Sequence, residues 1–179
     1  MEFIEQQRLN FLKFVDDCAV YCIEKSGLVY QPLQILGRYE RFFIASYGDA
    51  VLQYHGAHDE MYQQSIRKIP HSIFFTHQGM LEYMNEGVRK CFTGGSTIME
   101  GILMFCCLYV DTAIYCFRFG HGAFINTTLI YTVNAVFEDH VKRLFISVER
   151  ALVSQLWNDI MQKGMDLIER EKAATVPQK

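Results

Sequence analysis

The sequence predicts an all-α fold in which amphipathic helices pack around one helix that is apolar on every side. Three observations predict it. Ile98–Phe117 is an apolar run whose charges are limited to Glu100 and Asp111. Apolar residues recur at helical spacing on both sides of that run. Proline occurs only three times in 179 residues, so long helices are permitted. Half of the chain is hydrophobic, which is ample for one core in one domain.

Helical stripes appear in order along the chain. Ile4–Lys25 carries Ile4, Phe11, Val15, Cys18 and Cys22 on one face, widened by Leu12, Ala19 and Ile23. Lys13, Asp16, Asp17 and Glu24 fall outside that stripe, and Ser26-Gly27 is a natural stop. After a short link, Leu28–Pro32, a second helix is expected over Leu33–Tyr54, with His55–His58 as a break. A short helix should cover Asp59–Lys68 before Pro70. The next should run Ser72–Phe92 on Met80, Leu81, Met84, Val88 and Cys91. Thr93-Gly94-Gly95-Ser96 then turns the chain and caps the helix after it.

The Ile98–Phe117 run is long enough to span a bilayer. Two acids inside it, and no basic flank at its start, favour a buried core helix over a membrane span. Beyond Gly120-His121-Gly122, a helix is expected over Thr128–Ser147, capped by Asn126 or Thr127. A last amphipathic stretch uses Leu152, Leu156, Trp157, Ile160, Met161, Leu167 and Ile168. Residues 1–168 form the expected domain, and 169–179 a polar, frayed tail.

Composition excludes several function classes. The net charge is −3, with no basic bias of the kind that phosphate binding needs, so nucleic acid is not an expected partner. No secretory signal opens the sequence as given. The six cysteines contain no C-x-x-C pair and read as buried thiols in a reducing compartment, with no metal and no cofactor expected. Asn126-Thr127-Thr128 fits a glycosylation sequon but reads more simply as a helix cap. Phosphate-loop, dinucleotide, nucleophile-elbow and zinc-protease motifs are absent. Gly94-Gly95-Ser96-Thr97 lacks the lysine of a phosphate site, His71 and His77 share no helical face, and Asp139 and His140 point apart on a helix. The sequence therefore points away from catalysis and toward recognition, in which a groove between helices grips the apolar stripe of a partner helix.

Four short stretches carry a family resemblance. Ile44-Ala45-Ser46-Tyr47-Gly48-Asp49-Ala50-Val51 resembles the third homology motif (BH-three) of the Bcl-two, or B-cell lymphoma two, apoptosis regulators. Lys25-Ser26-Gly27-Leu28-Val29-Tyr30 resembles the exit of that family's first helix. Val88-Arg89-Lys90-Cys91-Phe92-Thr93-Gly94-Gly95 is similar to the first homology motif leading into the core helix, and Phe137–Leu144 to the approach to the second. There are departures. The Asn-Trp-Gly-Arg signature is missing: one register places Thr97, Ile98, Met99 and Glu100 there, another places Gly101 at its glycine, and neither supplies the arginine. The Gly-Gly-Trp of the second motif, the long first link and a C-terminal anchor are also missing, which resembles virus-encoded members most.

The resemblance implies a Bcl-two-like bundle of about seven or eight helices. It implies an inhibitor of apoptosis, cytoplasmic in a host cell or peripheral at mitochondria without a stable membrane anchor. Its partners would be BH-three helices of pro-apoptotic proteins, within a narrow range because the arginine is missing. The implied groove is formed among the second to fifth helices. It is lined by Val51, His55, Val88, Cys91, Phe92, Thr97, Ile98, Met99, Glu100 and Ile102. Apolar residues exposed around it would permit a homodimer. The alternative is a relative that blocks inflammatory signalling through a flat surface without a working groove.

Overall fold

The computed structural model describes residues 2–31, 33, 36, 37, 39–70, 72, 73 and 76–175. The described residues are almost wholly helical and contain no strand. The α-helices are α1 (Phe3–Lys25), α2 (Ala45–Arg67), α3 (His77–Cys91), α4 (Ile98–Arg118), α5 (Ile125–Val136), α6 (Lys142–Ile146) and α7 (Val153–Thr175). A π-turn, Phe137–Val141, joins α5 to α6 without a break. The described chain thus has six continuous helical rods rather than seven or eight.

α4 is the centre, packed by α1, α2, α3 and α7. It is long and apolar enough to cross a membrane, yet 78% of its most apolar window is buried inside the bundle. Its start is fixed by a capping box. Thr97 Oγ1 accepts the Glu100 N–H at 3.2 Å, and a Glu100 carboxylate oxygen accepts the Thr97 N–H at 2.8 Å. The cap is therefore Thr97, with Gly94 and Gly95 ahead of it at φ +83° and +89°, a backbone that favours glycine. Gly101 lets α4 approach the end of α3: a Cβ there would lie 2.5 Å from the Phe92 ring.

An aromatic knot closes one side of the core. Trp157 of α7 is fully buried, with ring centroids 4.7 Å from Phe42, 5.2 Å from Phe14 and 5.5 Å from Phe145. Its indole N–H donates to Gln7 at 3.4 Å. The link after α1 is pinned from within. Asp16, expected outside the α1 stripe, is buried and accepts from the Tyr30 hydroxyl at 3.1 Å and the Leu33 N–H at 3.2 Å. Desolvation raises its pKa despite those bonds.

Several boundaries differ from the sequence reading. α2 begins at Ala45 rather than Leu33: the Leu36 N–H closes a tight turn on Leu33 at 2.9 Å, and the chain is extended at Ile44, with φ −122° and ψ 148°, before the helix starts. α2 then runs through His55–His58, and the expected short Asp59–Lys68 helix is its second half. The two imidazoles pack along the helix, His58 on Tyr54 and His55 on Tyr62, while Gly56 lies in open space. α3 starts at His77 because Thr76 caps it, accepting the Gly79 N–H at 3.1 Å; His71 lies outside the described residues. α5 starts at Ile125, so Asn126 and Thr127 are first-turn residues, and the Asn126 side-chain amide instead lies 3.1 Å from the Tyr30 hydroxyl. α7 continues past Ile168 to Thr175, where a frayed tail was expected.

Candidate functional site

The residues expected to line a groove divide into three groups. Val51, Val88, Cys91 and Ile102 are buried in the core, at most 9% exposed. Ile98, Met99 and Phe92 are half-buried at the start of α4 and the end of α3, beside the exposed cap Thr97. Phe92 is sandwiched between Gly101 and His140, whose ring stacks on it at 4.1 Å and 4°. Desolvation lowers the His140 pKa. Glu100 is buried next to them, and His55 lies apart, paired with Asp111 in the second half of α4.

Glu100 occupies or adjoins the position where the resembled family has its arginine. A cation reaches it from elsewhere: Arg170, near the end of α7, bonds Glu100 Oε1. Burial alone would raise the Glu100 pKa, but the Thr97 backbone N–H and the Arg170 guanidinium hold it below the usual carboxylate value. Neither register of the motif supplies this cation, and Arg170 lies seventy residues away in the chain. Only the extension of α7 beyond Ile168 brings that residue across.

Two clefts flank α2. One, of about 560 Å³, lies between α2 and the last turns of α7, next to the Arg170–Glu100 pair in sequence. Tyr54, Ala57, Ile168 and Ala174 supply its apolar surface. His58 stacks on Tyr54 at 4.1 Å and stands 3.8 Å from Glu171 at its rim. The other cleft, of about 520 Å³, lies between α2 and the second half of α4. Leu52, Ile66, Ile114 and Phe119 give it apolar walls, and the His55–Asp111 pair lies in it at 2.8 Å.

The cysteine thiols are buried away from both clefts, and burial pushes Cys91 and Cys116 up to about 12. Among the described residues, no group of three or more His, Cys, Asp or Glu side chains is arranged to hold a metal. Both clefts combine apolar surface with a polar rim. Comparison with protein-family models, curated proteins and solved structures gives no match.

Proposed function

We propose that this protein binds the BH-three helix of a pro-apoptotic partner and so restrains apoptosis, as the virus-encoded Bcl-two-like proteins it resembles are understood to do. The observation that carries the reading is the α2–α7 cleft, a mainly apolar trough, which none of the ten residues implied by the resemblance lines. The element order supports it as well. The Gly48-Asp49 stretch lies on α2, and a Cβ at Gly48 would meet the Tyr21 and Phe43 side chains. The Val88–Gly95 stretch leads directly into α4. In this reading the protein acts in the cytoplasm or at the mitochondrial surface. Exposed apolar residues such as Met61 and Ile146 allow a second copy to associate.

The test is a panel of fluorescent BH-three peptides titrated with the full chain. At least one should bind with Kd below about 100 μM, equivalent to roughly 5.5 kcal/mol. Ala57→Glu should weaken that binding about tenfold or more without loss of fold, since Ala57 is exposed and lines the cleft. Failure of every peptide rejects the reading.

One observation favours a second reading. Val51, Val88, Cys91 and Ile102 are packed into the core, so these positions offer no open groove surface. A Bcl-two-like module that blocks inflammatory signalling through a flat surface fits that packing. It calls for a signalling reporter that falls on expression of the chain while all BH-three peptides fail to bind.

A further inference from the structure

Asp111 sits in the middle of the most apolar helix of the protein, with its side chain 5% exposed. Its Oδ1 is 2.8 Å from His55 Nε2, and its Oδ2 has no hydrogen-bond partner among the described residues. A carboxylate buried in this way is stable only while a cation or donor compensates it. That compensation comes from α2, across the cleft that separates the second half of α2 from α4.

The surroundings leave His55 as the group that responds to pH. On α2, Asp59 stands 4.0 Å from the imidazole, the Tyr62 ring lies parallel to it at 5.9 Å, and Arg67 lines the same cleft. On α4, Arg118 opposes protonation of His55, and Cys107 lies one turn before Asp111. On α3, Tyr83 faces Asp111, and beyond α1 the cleft is met by the uncharged Ser26. Burial pushes the Tyr83 hydroxyl up to about 12 and raises Tyr62 and Cys107 as well, so these stay neutral. Near neutral pH the imidazole is the side chain that changes charge.

We infer that the His55–Asp111 pair is a proton-operated latch that seats the second half of α2 on the central helix. The bond to Asp111 raises the His55 pKa above its ordinary value, against the opposing effect of burial. The proton is therefore held more tightly when the latch is closed, and its loss to solvent as pH rises favours the open form. Asp111 then faces a neutral ring, and lifting α2 lets water reach its orphan oxygen. α2 walls both clefts, so its lifting widens both. None of this depends on what the α2–α7 cleft binds.

Amide hydrogen exchange on the full chain tests the latch, run from about pH 6 to about pH 9 and corrected for intrinsic rates. The opening constant of amides over Leu52–Ile66 should rise severalfold with pH and track the His55 ring titration measured by NMR. In His55→Gln, which cannot change charge, the same amides should show an opening constant independent of pH, as should those in Asp111→Asn. The ring titration of the natural chain stands alone if Asp111→Asn does not fold. A pH-independent opening constant in the natural chain, an unchanged slope in His55→Gln, or a His55 titration at or below the ordinary imidazole value overturns the latch.

Discussion

Removing Glu100 tests how the start of the central helix is held. Its side chain is 11% exposed and serves two bonds, closing the capping box onto Thr97 and receiving Arg170 from α7. Loss of a helix cap costs about 1 kcal/mol, within a range of roughly 0.5–2. The Arg170 partner is 62% exposed, so solvent screens it, and the pair falls near the surface range of roughly 0.2–1 kcal/mol rather than the buried one. Glu100→Ala should then cost about 1–2.5 kcal/mol in urea unfolding, Arg170→Ala about 0.5, and their double-mutant cycle should show coupling of about 0.5 kcal/mol. pH supplies an independent check. The folded pKa of Glu100 is depressed, so its contribution is present above the unfolded carboxyl value and lost as pH falls through the folded one. The stability gap between the natural chain and Glu100→Gln should stay constant above about pH 4.5 and shrink below it. A cycle with no coupling, together with a gap unchanged at about pH 3, would refute the assigned role of Arg170. Glu100→Arg sets two cations together at the start of α4, so it should lose about 1–2 kcal/mol of stability in urea unfolding.

Trp157→Ala empties the aromatic knot and should cost about 3–5 kcal/mol in denaturant unfolding; a cost under about 1 would contradict the packing. Gly101→Ala drives a Cβ toward the Phe92 ring and should destabilise by about 1–3 kcal/mol, with a shift in the His140 NMR signal because that ring stacks on Phe92. All six thiols are buried, so the native protein should react with an aromatic disulfide reagent only as fast as it unfolds, while the protein in denaturant titrates six; one fast native thiol would refute this.

The sequence by itself determined the elements whose signal is local. The α1 stripe, the apolar α4 and the amphipathic face of Val153–Ile168 are patterns at helical spacing, which need no knowledge of what packs against them. The α3–α4 turn was legible for the same reason, since Gly94 and Gly95 mark a backbone few other residues adopt. The start of α2 was not, because the apolar spacing of Leu36, Tyr39 and Phe43 continues its stripe backward. The backbone is instead extended at Ile44, where Phe43 packs on Phe14 and Tyr21 of another helix. His55–His58 looked like a break because glycine and histidine are weak helix formers, yet packing onto Tyr54, Tyr62 and Asp111 overrides so small a preference. Candidate groove residues were chosen by chain position, which cannot tell a groove wall from the core behind it; Val51 and Ile102 prove to be the latter. The pairs that tie distant helices to α4 join positions 55 and 111, and 100 and 170. Charge pairing between residues so far apart in the chain leaves no periodic trace in the sequence, and it is decided only when tertiary packing brings the helices that carry them together.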